Sequence, residues 1–319
     1  MQTKNLVSCI VPVLNENDTI HNFILSLHQQ DYRPIELLIV DGGSRDGTIG
    51  IVNKAMEDMN DESFAIKLFE EREFGTIASP ANARNIGLDH ATGEYIFFID
   101  SDTCFIEKST ISAAINEMED SDFILIFFKP LLDTTLEKHI SKTMKSDGLI
   151  LYRKNLIDKV RFIPTLGFGE DREFNYRLFG KFSFSEKIPY AIFIGRHYPH
   201  TIEELRKQNE WYGRTIGNYL KVIYGSNMNE FLRQFTFVIY NILLAIFPII
   251  TVVSLTISMK IAFILIFLFL AQILVRFFKY GYRTFNEYVF LTWYSLFNAL
   301  FFTKGLISNI YKKNNIGRT

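Results

Sequence analysis

Two cysteines, Cys9 and Cys104, are all that this chain of 319 residues contains. Such scarcity excludes a disulfide framework or a cysteine zinc site, and Cys9, set in the apolar run Leu6 to Val13, reads as a small core residue. Basic excess is also lacking. The formal net charge is -1, and the first 229 residues carry 25 bases against 33 acids, so general nucleic-acid binding, which needs a basic face, is not expected. From Glu230 onward acids almost disappear: Glu230 and Glu287 stand against nine bases. The chain therefore has two compositional regions, an acidic mixed body and a basic, very apolar tail. Met1 to Asn5 has no basic stretch leading into a long apolar one with a cleavage site, so no signal peptide is expected. Phe is abundant, with 31 copies, and 48% of residues are hydrophobic.

Taken in order, Leu6 to Val13 is a buried strand stopped by Asn15-Glu16-Asn17-Asp18. Ile20, Phe23, Ile24 and Leu27 then recur at helical spacing, with Asn17 or Asp18 as the expected N-cap. Ile35 to Val40 repeats the pattern and ends in the glycine-rich Asp41-Gly42-Gly43-Ser44-Arg45-Asp46-Gly47-Thr48, which opens a helix carrying Val52, Met56 and Met59. Phe64 to Phe69 is a third strand. Ser79-Pro80 has the form of an N-cap with proline at the first helical position, and its helix stops near Gly93. Ile96 to Ile99 is a fourth strand, followed by a helix with Ile111, Ile115 and Met118 in phase, then Phe123 to Phe128. Strands alternating with helices predict an α/β fold with a doubly wound, mostly parallel sheet.

Three of these strands end in acids: Glu16 after the first, Asp41 after the second, Asp100 and Asp102 after the fourth. In a parallel sheet those ends lie on one edge, where ligands bind. The spacing of Asp100 and Asp102 puts both on one side of an extended backbone. Paired oxygen donors suit Mg2+ or Mn2+, and such cations neutralise phosphates. A bare Asp-x-Asp is also an ordinary acidic turn at the end of a strand.

The set Val11-Pro12-Val13-Leu14-Asn15-Glu16, Ile39-Val40-Asp41-Gly42-Gly43-Ser44-Arg45-Asp46-Gly47-Thr48, Ala83-Arg84-Asn85-Ile86-Gly87 and Phe98-Ile99-Asp100-Ser101-Asp102 closely resembles a family 2 glycosyltransferase of GT-A fold, over roughly residues 6 to 180. The resemblance implies that Asp41 hydrogen-bonds the base of a nucleotide-sugar, that Pro12, Asn15 and Glu16 line the nucleoside pocket, and that Arg84 faces the nucleotide. It implies that Asp100, Ser101 and Asp102 serve the ribose and the metal on the diphosphate, Asp102 being the more direct ligand. Gly169-Glu170-Asp171 resembles the family's acceptor motif, with Asp171 as general base taking the proton of a sugar hydroxyl. Displacement opposite the leaving diphosphate then inverts the anomeric centre. Further on, Arg196-His197-Tyr198-Pro199-His200, Gln208 and Trp211-Tyr212-Gly213-Arg214 resemble a segment of membrane-bound exopolysaccharide glycosyltransferases. On that resemblance His197, Gln208, Trp211 and Arg214 are expected with Glu170 in the acceptor and diphosphate region, and His200, or else His197, is expected to complete the metal shell or meet the diphosphate. Glu210 stands where processive synthases carry arginine, which speaks against processivity.

In the tail, Phe235 to Ile257 has no charge and is long enough to span a bilayer. Ile261 to Phe278 follows after almost no linker, so a membrane hairpin is expected, with Pro248 accommodated inside it. Arg276, Lys279 and Arg283 mark the return loop as cytoplasmic. Tyr288 to Ile310 either spans or lies in the interface; in the first case Lys312, Lys313 and Arg318 fall outside. The expected organisation is a GT-A domain over 1–200, an amphipathic interfacial helix over 201–229 and a membrane region over 230–319. The expected protein is a multi-pass cytoplasmic-membrane enzyme facing the cytosol. Its partners are a nucleotide-sugar, a UDP-sugar by expectation, and a lipid-linked saccharide acceptor, with no nucleic acid. The rivals are a polyprenyl-phosphate glycosyl synthase, whose anionic acceptor needs no base, and an inactive nucleotide-sugar binding protein on a membrane tether.

Overall fold

Seven residues of β1, Val7–Val13, alternate across the pleat yet are apolar on both faces apart from Ser8 and Pro12, so the strand belongs in the middle of a covered sheet. The same holds for β2, Ile35–Asp41, every residue of which is buried. The computed structural model describes residues 5–75, 78–132, 134–143, 148–180 and 192–316, and the chain divides into two compact units, Met1–Tyr198 and Pro199–Thr319.

In the first unit, β3 (Phe64–Glu70), β2, β1 and β4 (Tyr95–Phe98) run parallel, joined through α1 (Ile20–His28), α2 (Thr48–Met59) and α3 (Pro80–His90). The sheet is longer than this run. After β5 (Thr103–Cys104) and α4 (Thr110–Glu117) the chain adds β6 (Phe123–Pro130), α5 (Thr135–Thr143), β7 (Leu149–Arg153), α6 (Lys154–Ile157), α7 (Glu170–Phe179) and β8 (Phe193–Arg196). Strand order is β3-β2-β1-β4-β7-β6-β8-β5. Of these, β7 and β5 run against the other strands, because β7 pairs antiparallel with both β4 and β6, and β5 antiparallel with β8. The expected α/β sheet is present, with a reversed strand in its middle.

Helices cover both faces. Phe23, Ile24 and Leu27 of α1, Val52 of α2 and Ile111 of α4 close the main core over Cys9, Val11, Leu37 and Phe97. On the other face, Ala83 and Ile86 of α3 pack on Val40. Gly87 is required there, since a Cβ in its place stands 2.3 Å from Ile10 Cγ2. Ser79 caps α3 as expected, its hydroxyl accepting the Asn82 amide at 3.0 Å. The N-cap of α1 differs from expectation. It is Thr19, with no side-chain cap, and the Glu16 carbonyl accepts the Thr19 and Ile20 amides at 3.1 and 2.9 Å. The Asn17 backbone amide donates to Asp46 Oδ2 at 3.2 Å, which ties this loop to the one after β2.

The second unit is helical. Thr201 caps α8 (Ile202–Ser226), accepting the Glu204 amide at 3.2 Å. Asn227 alone separates α8 from α9 (Met228–Ile257), and Ser258 alone separates α9 from α10 (Met259–Lys279). Both α9 and α10 are long and apolar enough to cross a membrane, and large apolar side chains such as Ile249, Phe263 and Phe267 are exposed on them. The last helix, α11, runs Phe285–Ile316, beyond both ends of the expected stretch. It meets α8 backbone to backbone: a Cβ at Gly213 falls 1.9 Å from Phe302 O, and one at Gly305 falls 2.1 Å from Glu210 O. Arg318 and the side chains of Lys312 and Lys313 lie outside the described residues.

Candidate active site

The carboxyl ends of β1, β2 and β4 supply the acids. Asp41 closes β2, and its carboxylate accepts the Gly43 amide at 2.8 Å and the Ser44 amide at 3.0 and 3.1 Å, which folds the glycine-rich loop over the strand end. Asn15, at φ 59, is the one described non-glycine residue in the left-handed region, a conformation that asparagine tolerates. It clasps the same loop: its amide donates to Ser44 Oγ at 2.8 Å, and its Oδ1 accepts the Arg45 amide at 2.9 Å. The adjoining Glu16 amide donates to Thr48 Oγ1 at 2.8 Å. Pro12 pairs in register with Val40, so the first two strand ends are tied together before any ligand arrives.

Beyond β4 the backbone does not stay extended. Thr103 N donates to Asp100 O at 3.1 Å, and Asp100, Ser101 and Asp102 form a turn. The two acids nevertheless meet one guanidinium: Arg196 Nε lies 3.3 Å from Asp102 Oδ2 and Arg196 Nη2 3.7 Å from Asp100 Oδ2. The β5–β8 pairing explains it, because Arg196 stands opposite Thr103. His197 follows, its amide donating to Asp102 O at 2.8 Å. Glu16 sits within electrostatic reach of both acids. Its carboxyl is pushed up to about 7, chiefly by burial and further by Asp102 and Asp100, while Thr19 and Ser101 hydroxyls oppose the rise. Asp102 is also raised, by burial against the pull of Arg196.

From the other side comes α7, seated by an aromatic cluster under its first turns. Phe174 stacks on Phe162 at 4.1 Å, and Phe98, at the end of β4, meets Phe162 edge-on at 5.0 Å. This brings Glu170 to Arg84. The buried guanidinium donates to Glu170 Oε1 and Asp100 Oδ1, both at 2.7 Å, and lies 5.7 Å from the Phe162 ring. Arg84 thus bridges the turn after β4 and the first turn of α7. Burial pushes Glu170 up to about 7 despite Arg84, and the negative charge of Asp171 adds to the rise. Asp171 itself is exposed, with Oδ1 accepting the Arg172 amide at 2.7 Å. It is near enough to Arg84 and Tyr152 to raise both.

A model of glycosyl transferase family 2 matches residues 8–179. The chain belongs to that family. An uncharacterized glycosyltransferase of Haemophilus influenzae is 38% identical over 120 residues, 38% of this chain and 45% of that protein. A GalNAc(5)-diNAcBac-PP-undecaprenol beta-1,3-glucosyltransferase of Campylobacter jejuni is 28% identical over 145 residues, 45% of this chain and 43% of that protein. These matches span less than half the length of either relative. Among solved structures, the mannosyltransferase PcManGT of Pyrobaculum calidifontis, in complex with GDP-Man and Mn2+, is 16% identical with a TM-score of 0.62 over 98% of this chain and 89% of that one. At that identity the likeness establishes the shared GT-A fold.

Within this family 2 domain, the first unit brings together Glu16, Arg84, Asp100, Ser101, Asp102, Glu170, Asp171 and His197 of the expected residues, with Asp41 at the neighbouring strand end. Arg84 spends its donors on Asp100 and Glu170. Pro12 and Asn15 lie in the first unit too, at the end of β1, whereas His200, Gln208, Trp211 and Arg214 belong to the second unit. His200 Nδ1 pairs with Glu204 at 3.1 Å, Gln208 Oε1 is buried without a partner, Trp211 is partly exposed, and Arg214 O accepts from Asn309 at 2.5 Å. Two participants were not anticipated. Arg196 is one; the other is Glu71, buried just past β3, which accepts from Asn82 Nδ2 at 3.0 Å and the Ser79 amide at 3.3 Å beside Asp41. Glu71 follows a strand end as Glu16 does, so the rule of acids after strands covers it. Arg196 heads the family-like segment Arg196-His197-Tyr198-Pro199-His200, but its approach to the two acids depends on pairing between β5 and β8.

The donor set suits a divalent cation. Asp102 Oδ1 is buried with no hydrogen-bond partner, an orphaned anionic oxygen beside a second carboxylate. Among the described residues no three acidic, histidine or cysteine side chains form a complete cage. Mg2+ is commonly bound by one or two carboxylates plus substrate phosphates and water, so the set is sufficient with a diphosphate present.

Proposed function

We propose that the chain is an inverting glycosyltransferase that moves a sugar from a nucleotide-sugar, a UDP-sugar, to a hydroxyl of a membrane-held, polyprenyl-linked saccharide. The observation that carries the reading is the convergence on Arg84: one buried guanidinium joins the Asp100–Asp102 turn to the first turn of α7, where exposed Asp171 stands beside buried Glu170. In this reading Asp41, Asn15, Pro12 and Glu16 shape the nucleoside pocket. Asp102 and Asp100 hold Mg2+ or Mn2+, which supplies neutralising charge for the leaving diphosphate. Asp171 accepts the proton of the attacking hydroxyl; its exposure leaves it open to an acceptor. Glu170, tied to Arg84, fixes the start of α7 and so the reach of Asp171.

The acceptor class is supported by the Campylobacter relative, whose name carries an undecaprenol-linked substrate, and by α9 and α10, which suit a bilayer. TarS of Staphylococcus aureus, a poly(ribitol-phosphate) beta-N-acetylglucosaminyltransferase that is 34% identical over 126 residues, 38% of this chain and 21% of that protein, supports sugar transfer but not the polyprenyl link. The hairpin α9–α10 anchors the protein in the cytoplasmic membrane. Arg276, Lys279 and Arg283 hold its return end on the cytosolic side, where the first unit also lies.

The test is release of nucleoside diphosphate from a panel of nucleotide-sugars by detergent-solubilised protein with Mn2+ and extracted membrane lipids, native against Asp171→Asn. Metal-dependent release that needs a lipid-linked saccharide and collapses in the variant is expected. Release that survives the substitution and needs only polyprenyl phosphate identifies a phosphate acceptor instead.

A further inference from the structure

One basic side chain of the apolar tail is turned inward. Arg276 lies one turn before the end of α10, and its Nη1 donates to the Tyr240 hydroxyl of α9 at 3.2 Å and to Ser295 Oγ of α11 at 2.9 Å. The Tyr280 hydroxyl accepts from the same guanidinium, whose central carbon lies 5.9 Å from the Tyr240 ring and 5.7 Å from the Tyr280 ring. These partners are neutral. Among the described residues no carboxylate pairs with Arg276, and part of its five-donor fork is unused. A long basic side chain near the end of a membrane helix ordinarily reaches out to water, as exposed Lys279 does one turn later. Beside Arg276 a groove of about 260 Å³ runs between α9 and α10, with Tyr240 and Gln272 at its polar end and Leu243, Phe247, Leu265, Leu268 and Phe269 along the rest. Gln272 Nε2 donates to the Tyr240 hydroxyl at 2.7 Å, while its Oε1 is buried without a partner.

We infer that Arg276 and this groove form a binding site for an anionic phospholipid, the phosphate resting on the guanidinium and one acyl chain lying along the groove while the other stays in the bilayer. The site rests on the membrane placement of α9 and α10 proposed above, which a carbonate wash tests separately. A cation at hydrocarbon depth calls for an anion, and a basic pocket between helices on the cytoplasmic side is where anionic head groups are held. Guanidinium suits phosphate, to which it donates two parallel hydrogen bonds. The exposed bases Lys279 and Arg283 beyond it repel a head group that carries its own ammonium, which favours a net negative lipid. Gln272 supplies the second contact. The Tyr240 hydroxyl accepts from both Gln272 and Arg276, so its own hydrogen is left to donate. With the Gln272 amide turned over, Tyr240 satisfies Oε1, and Nε2 donates to an acceptor in the groove. Gln272 lies four residues deeper than Arg276, about 6 Å along the helix. At that depth a phospholipid presents its ester carbonyls, whereas a polyprenyl phosphate presents only hydrocarbon.

The experiment titrates the full chain in detergent with short-chain phosphatidylglycerol, phosphatidylcholine, diacylglycerol, a polyprenyl phosphate and inorganic phosphate, reading bound lipid by native mass spectrometry and the melting temperature alongside. Native protein is compared with Arg276→Gln, Arg276→Lys, Gln272→Leu and the control Lys260→Gln, an exposed cation at the other end of α10. Phosphatidylglycerol is expected to saturate the native protein and raise its melting temperature, with phosphatidylcholine weaker and diacylglycerol weaker still. Arg276→Gln is expected to weaken phosphatidylglycerol by about tenfold or more, the scale of losing a charged hydrogen bond, and to leave diacylglycerol unchanged. Gln272→Leu weakens it less, Arg276→Lys falls between, and Lys260→Gln shifts nothing. Native binding of phosphatidylglycerol by Arg276→Gln overturns the site, and so does an equal shift from Lys260→Gln. Where Arg276→Gln does not fold, equal binding of phosphatidylglycerol and diacylglycerol by native protein overturns it instead. Polyprenyl phosphate that displaces phosphatidylglycerol and ignores Gln272→Leu gives the site to the acceptor lipid, and displacement by inorganic phosphate gives it to a small anion; either overturns the phospholipid assignment.

Discussion

At the scale of single residues, Arg84 ties the Asp100–Asp102 turn to the first turn of α7. Removing one member of a buried ion pair leaves an uncompensated charge, which costs about 3–5 kcal/mol. Arg84→Met is therefore expected to lower unfolding free energy by about that amount, read from urea titration, and to abolish transfer. Asp171→Asn is the contrasting case. Its carboxylate is exposed, so the melting temperature should hold within a degree or two while turnover falls by about a hundredfold or more, the usual scale for losing a general base. Glu170 gives a pH prediction. Its folded carboxyl sits at about 7 against an ordinary 4.5, so the native state holds a proton that the unfolded state has released. The stability this provides is full below about pH 4.5 and is lost as pH rises through about 7. Relative to Glu170→Gln, native protein should therefore lose up to about 3 kcal/mol between pH 4 and pH 8, at 1.36 kcal/mol per unit. A stability gap that stays flat across that window shows that Glu170 is ionised throughout.

At the scale of elements, two close approaches fix how helices seat. The Gly87 position lets α3 lie on Ile10 of β1, one turn beyond Arg84. Gly87→Ala forces a methyl into that contact and is expected to cost about 1–3 kcal/mol, the usual range for overpacking. Because the shift moves Arg84, activity should fall further than stability alone explains; equal losses place the effect in folding only. Gly213 and Gly305 do the same for α8 and α11, where the added Cβ meets backbone that has nowhere to go. Asn209 Nδ2 to Asn298 Oδ1 at 3.0 Å and Lys304 to Glu210 at 2.8 Å set the register of that pair. Acids in the first turn of α7 show how one feature serves two ends. Glu170, Asp171 and Glu173 complement the helix dipole, while Glu170 also meets Arg84 and Glu173 meets Arg177 at 2.6 Å.

At the scale of the whole molecule, the first unit is acidic and the second carries two helices long and apolar enough to cross a membrane. Side chains such as Ile249, Phe267 and Val275, exposed by more than three fifths, are costly in water and ordinary in hydrocarbon. The full chain is expected to stay with the membrane through an alkaline carbonate wash and to leave it only in detergent. Release by carbonate alone places α9 and α10 on the surface of the bilayer or against another protein.

Sequence by itself determined what depends on neighbours in the chain. Apolar runs of strand length ending in Asp41 and Asp100, the Ser79-Pro80 start of α3 and the charge-free stretch of α9 are all local patterns, set by the pleat, the cap and the bilayer thickness. The family motifs are local too, which is why GT-A was legible from residues 6 to 180. Only the tertiary structure decided who meets whom. Arg84 finds Glu170 across 86 positions and Arg196 finds Asp102 across 94, because β7 enters antiparallel beside β4 and β8 pairs with the two residues of β5. No periodicity encodes those pairings. They follow from burying both faces of one sheet at once, and that packing brings Arg84 and Arg196 to the Asp100–Asp102 turn.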